Sequence, residues 1–146
     1  MPEQKIKLVL DTNILISGLI THNGPSAQIL DAVQAGDERV VISLALIEEF
    51  NEVIIRPNLL TKYPEVSQFA NALLDFLRAN AILVIGEPEN PIISDDPDDD
   101  YVVACAMDGQ ADYIISGDAH LLELGQYHDI KIMNPRQFVD LVLINQ

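Results

Sequence analysis

The stretch Ile6-Lys7-Leu8-Val9-Leu10-Asp11-Thr12-Asn13 decides how the rest of the chain is read. A short apolar run that stops at polar turn residues is the appearance of a strand buried on both faces, so a first strand is expected to end at Asp11. Outward from it, helical and strand patterns alternate. After the turn signals Asn23, Gly24 and Pro25, Ser26 offers an N-cap, and Ile29, Leu30 and Val33 keep helical spacing up to Gly36. Val40, Val41 and Ile42 form a β-branched second strand. Behind Ser43, Leu46, Ile47, Phe50, Val53 and Ile54 recur at helical intervals until Arg56 and Pro57.

A helix from Pro64 to near Asn80, a third strand over 82–85, a polar loop from Gly86 to Pro97 and a helix through Val102, Val103 and Ala106 follow. Tyr113, Ile114 and Ile115 make a fourth strand, Leu121, Leu122 and Leu124 a short helix, and Ile130, Ile132 and Met133 a fifth strand. Asn134 and Pro135 then cap a last helix. Such alternation implies an α/β fold with parallel pairing and helices on both faces of the sheet. The 146 residues, 49% of them hydrophobic, suit one compact domain over 1–146 and argue against disorder.

Eight Lys and Arg against 23 Asp and Glu leave a net charge of −15, which disfavours a basic-patch nucleic-acid binder. The lone Cys105 allows no internal disulfide and reads as an inert core thiol. No secretory signal is apparent, and the longest apolar region, Leu8 to Ile20, is interrupted and shorter than the roughly 20 residues a membrane span needs. The expectation is a cytoplasmic protein with no membrane role.

In an open parallel sheet the ligand site lies beyond the carboxyl ends of the strands, so the residues that follow each strand carry the functional information. Asp11 follows the first strand, Glu49 stands about two helical turns after Ser43, Asp100 opens the helix before the fourth strand, and Asp118 follows that strand. Each also has a plainer role. Asp11 could simply end a strand, although an acid abutting a buried strand is costly unless hydrogen-bonded or metal-bound. Glu49 has Glu48 and Glu52 as neighbours of its own kind on a helix. Asp98, Asp99 and Asp100 suit a helix N-terminus, and Asp118 suits an N-cap as well as it suits a metal. Dipole complementarity alone does not account for five acids in the six positions 95–100. No Lys or Arg occurs between Arg78 and Lys131. Gathered carboxylates without basic partners raise one another's pKa unless a cation neutralises them, and hard divalent ions take oxygen ligands.

No EF-hand, Gly-rich phosphate loop, Gly-x-Ser-x-Gly, His-Glu-x-x-His or Cys-x-x-Cys pattern occurs. His22, His120 and His128 lack ligand spacing and read as surface residues. The pieces that remain are Leu8-Val9-Leu10-Asp11-Thr12-Asn13, Ser43 with Glu49-Phe50, the Arg56-Pro57 stop, Asp96-Pro97-Asp98-Asp99-Asp100 with Ala104 and Ala106, and Ala111 through Asp118. In this order they resemble the PIN-domain ribonucleases, especially the toxin components of bacterial or archaeal toxin-antitoxin pairs. The resemblance implies a three-layer α/β/α sandwich around a mostly parallel five-stranded sheet. It also implies Mg²⁺- or Mn²⁺-dependent hydrolysis of RNA to 5′-phosphate and 3′-hydroxyl ends, an antitoxin partner and a homodimer.

By the same resemblance Asp11, Glu49, Asp100 and Asp118 are the metal-binding and catalytic acids, with Asn13 and Ser116 orienting them. Asp11 would ligate or bridge the metal, Asp100 and Asp118 would complete its shell, and Glu49 would position or deprotonate the attacking water. His120 departs from the pattern, because many relatives carry a further acid two positions after Asp118. Arg56, Lys62 and Arg136 are the few candidates for holding RNA away from the metal. Competing readings are a non-catalytic binding module of the same fold and a phosphatase of the haloacid dehalogenase type, which would need a second Asp where Asn13 stands. Val139, Leu141, Val142, Leu143 and Ile144 exceed what one helix face needs, so they pack on their own sheet, on a second copy or on an antitoxin segment.

Overall fold

The computed structural model describes residues 5–88 and 96–145, so residues 89–95 of the expected acidic loop lie outside the described residues. Strand β1 (Ile6–Leu10) sits inside a six-stranded sheet of order β3-β2-β1-β4-β6-β5. It pairs in parallel with β2 (Glu38–Ser43) on one side and β4 (Tyr113–Ile115) on the other. β3 (Ile82–Val84) extends the sheet beyond β2, and β6 (Ile130–Met133) extends it beyond β4, both in parallel. Leu8, Val9 and Leu10 are all buried although they alternate between faces, which requires helices over both sides of the sheet. Each such side chain contributes about 1.5–3 kcal/mol when fully removed from water.

The sheet has one strand more than the expected five. β5 (Gln126–Tyr127) is a two-residue antiparallel partner of β6, closed by a turn in which His128 takes φ 51°. Two residues are too few to leave a periodic signal. Two helices also went unmarked in the sequence. α1 (Thr12–Ile20) begins directly after Asp11, where Ile14, Ile16, Ile20 and Gly18 favour strand or turn over helix. α4 (Pro57–Lys62) is a short helix begun by the same Pro57 that ends α3 (Leu44–Ile54). α2 (Pro25–Gln34) starts one residue ahead of the expected cap, with Gly24 as N-cap and Pro25 at the first position.

α5 (Val66–Asn80) buries Val66, Ala70, Leu73, Leu74 and Leu77, one continuous stripe at helical spacing. α6 (Pro97–Asp108) ends at Gly109, where any Cβ would overlap the Val41 side chain, so glycine there lets the helix end close on β2. α7 (Ala119–Leu124) is capped by Asp118. α8 (Pro135–Phe138) starts with a capping box between Asn134 and Gln137 and runs into a π-helical turn over Val139–Leu143. Of the C-terminal apolar residues, Val139 is buried and Val142 and Leu143 pack partly on the core, while Leu141 and Ile144 are exposed. Among the described residues no helix is long and apolar enough to cross a membrane.

Candidate metal centre at the carboxyl ends of β1 and β4

The chain leaves β1 towards β2 and β3 on one side and places β4 and β6 on the other, so strand order reverses between β1 and β4. A crevice opens at such a point beyond the strand ends. The register sets Leu10 opposite Ile115, which makes Asp11 and Ser116 neighbours at that crevice. Ser116 is fully buried, and its hydroxyl donates to Asp11 Oδ2 at 2.7 Å while its Oγ accepts from the Asp118 N–H at 2.9 Å. One serine thus fixes the carboxylate after β1 and the backbone that leads to the acid after β4.

Asp11 occupies the N-cap position of α1 without capping it. Burial pushes its carboxyl above the usual range, the Ser116 hydroxyl and the Thr12 N–H pull it down, and Asp118 and Asp96 push it up again. Asp118 does cap α7, since its Oδ1 accepts from the His120 N–H at 2.9 Å and from the Leu121 N–H at 3.2 Å. Capping engages one oxygen and leaves the carboxylate charge at the crevice. Glu49, half-buried on α3, has its carboxyl raised by burial and then by Asp11, with the nearby Thr12 hydroxyl countering part of the rise and Asp98 and Asp96 adding to it. Asp11 therefore lies within electrostatic reach of both Glu49 and Asp118.

The α6 residue that joins them is Asp99. It is 4% exposed, and its Oδ2 makes no hydrogen bond among the described residues. Burial, its contact with Asp118, and the charges of Asp96 and Asp11 raise its carboxyl to about 7. Asp96, N-cap of α6, accepts from the Asp98 N–H at 3.0 Å and adds to the negative field. Asp100 is also buried, at the next position of α6 and so about 100° further round the helix. Asn13 is exposed on the first turn of α1. His120 approaches both acids, with Nδ1 3.8 Å from Asp118 Oδ1 and 4.0 Å from Asp99 Oδ2, so it is a neighbour of the cluster and not merely the surface residue its spacing suggested.

Asp99 left a signal in the sequence that the acidic run obscured. It precedes Val103 by four residues and Ala106 by seven, the spacing of one buried stripe. His120 left none, because its place depends on the cap at Asp118. Cys105 matches expectation: it is fully buried, and burial pushes its thiol up to about 12.

The donor set suits a divalent cation. The groups that act most strongly on the Asp11, Glu49 and Asp99 carboxyls include no Lys or Arg, and among the described residues a buried Asp99 oxygen lacks a hydrogen-bond donor. One ligand atom from each of Asp99, Asp118 and His120 can be chosen so that all lie within 4.8 Å of one another. Asp99 and Asp118 could supply oxygen to such an ion, with the Asp11 charge nearby.

Fold and site together define an α/β domain with an acidic cluster at the switch point of its parallel sheet. The chain belongs to the PIN-domain family, which it matches over residues 7–120. An uncharacterized protein of Methanocaldococcus jannaschii is 27% identical over 150 residues, covering 96% of this chain and 94% of its own. A chain of VapBC2 from Rickettsia felis, solved bound to a DNA fragment from their promoter, shares the fold at a TM-score of 0.56 and 13% identity. That match covers 88% of this chain and 98% of the other.

Proposed function

We propose that this protein is a divalent-metal-dependent endoribonuclease and the toxin half of a toxin-antitoxin pair. The observation that carries the reading is the buried Asp99 Oδ2, without a hydrogen bond among the described residues, inside a cluster of acids drawn from four separate elements. Stability alone gives no reason to collect like charges there, because each raises the pKa of the others. The reading assigns Asp11, Asp99 and Asp118 as oxygen ligands, with Asp99 in the place first expected for Asp100. Mg²⁺ or Mn²⁺ bound there would attract a phosphodiester, lower the pKa of a bound water and stabilise charge on the phosphate oxygens.

The chain's own groups do the positioning. Ser116 holds Asp11 in one rotamer and fixes the approach to Asp118. Glu49 is half-buried with its carboxyl raised by burial and by Asp11, which makes it a stronger base towards water than an exposed glutamate. Arg56, Lys62 and Tyr63 line one open cavity of about 650 Å³ beside α3 and α4, with the Lys62 ammonium 5.5 Å from the Tyr63 ring centroid. These two cations offer RNA phosphates a contact that the acidic face does not. Membership of the PIN family and Asn13 in place of a second Asp argue against the phosphatase alternative. The likeness of fold to a VapBC2 chain supports an antitoxin partner.

Cleavage of a mixed-sequence single-stranded RNA, assayed with Mn²⁺, with Mg²⁺ and with chelator, tests the reading. Metal-dependent cutting lost in Asp11→Asn is expected. Equal cutting by both proteins would assign the activity to a contaminant. No cutting together with no metal response would favour the non-catalytic binding module.

A further inference from the structure

The His120 side chain is 52% exposed, yet its Nδ1 faces Asp118 Oδ1 at 3.8 Å and Asp99 Oδ2 at 4.0 Å. Both separations are too long for a hydrogen bond. Both are shorter than the about 4.2 Å between two ligands on opposite sides of an ion with bonds of about 2.1 Å. Asp99, with its side chain 5% exposed, directs towards this imidazole an oxygen that has no hydrogen-bond partner among the described residues. The cap adds a constraint, because Asp118 Oδ1 accepts the His120 N–H and so fixes the start of α7 beside the carboxylate.

We propose that His120 supplies a nitrogen ligand, through Nδ1, to the cation held by Asp99 and Asp118, and that the site thereby selects Mn²⁺ over Mg²⁺. The inference rests on the metal-centre reading above. Mg²⁺ is a hard ion that keeps oxygen ligands and waters, while imidazole nitrogen is better suited to first-row transition ions. The alternative role for His120 is a protonated counter-ion to the two acids. In that role the ring is displaced when a cation enters and makes no bond to it.

The two roles separate on addition of Mn²⁺ alone to chelator-stripped protein. Pulsed electron paramagnetic resonance of bound Mn²⁺ should show coupling to a ¹⁴N nucleus, and His120→Ala and His120→Gln should both abolish it. Mn²⁺ affinity should fall at least about tenfold in either variant. Mg²⁺ affinity, read by competition, should change by less than about threefold. Circular dichroism confirms that the variants are folded, as expected for a half-exposed side chain. Tight Mn²⁺ binding with no ¹⁴N coupling in the unsubstituted protein would overturn the nitrogen ligand and leave the nuclease reading intact. Coupling that survives in both variants would overturn it too, by assigning the nitrogen elsewhere. No Mn²⁺ binding at all would overturn this inference and the metal-centre reading together.

Discussion

Replacing Asp99 with Asn should stabilise the metal-free protein at neutral and alkaline pH. The folded chain holds the Asp99 proton until about 7, against an ordinary value of 3.8. The folded state therefore binds more protons than the unfolded state between about pH 4 and pH 7, so stability falls as pH rises through that window and levels off above it. A difference of about three pH units corresponds to a ceiling of about 4 kcal/mol. Asp118 shares the repulsion and water reaches it, so a gain of about 1–2 kcal/mol for Asp99→Asn at pH 8 is expected. Urea unfolding in chelator at pH 5, 6, 7 and 8 reads this directly. The variant's advantage should be roughly a third of its full size at pH 5, because the unfolded chain is already largely ionised there, and should reach full size by pH 8. An advantage independent of pH, or a variant less stable than the parent at pH 8, would refute the claim that burial and the neighbouring acids make the Asp99 charge destabilising in the metal-free site.

Other substitutions probe separate links. Ser116→Ala removes the donor to Asp11 and the acceptor for the Asp118 N–H, and should cost about 1–3 kcal/mol in denaturant titration together with a 10–100-fold loss of Mn²⁺ affinity by calorimetry. Gly109→Ala forces a methyl group onto Val41, so thermal unfolding should show about 1–3 kcal/mol of destabilisation with metal affinity unchanged. Mn²⁺ should raise the melting temperature of the parent protein by linkage, and Asp11→Asn should lose that rise while keeping its far-ultraviolet circular dichroism.

The central strand and the acid at its end were legible because one residue type pattern served both. Leu8-Val9-Leu10 is apolar on every face, and the acid that stops it lies at the switch point once β4 is known to pair with β1. Ser116 was legible for the same reason, as the first polar residue after β4. α1 was hidden because Ile14, Ile16 and Ile20 favour strand by themselves, and burial of the helix against its neighbours outweighs that preference. α6 was clear as a helix but not in phase. Three consecutive aspartates look alike in sequence, and both Asp99 and Asp100 are buried, so no local spacing says which of them meets Asp118. The approach of His120 to Asp99 joins residues 21 apart in the chain through a helix cap, and no local spacing encodes it.

The most direct test of the central claim is anomalous diffraction from crystals soaked in Mn²⁺. The account predicts a peak at the carboxyl ends of β1 and β4, bounded by the carboxylates of Asp11, Asp99 and Asp118. Mn²⁺ bound only elsewhere on the acidic surface, with that crevice empty at millimolar metal, would contradict it.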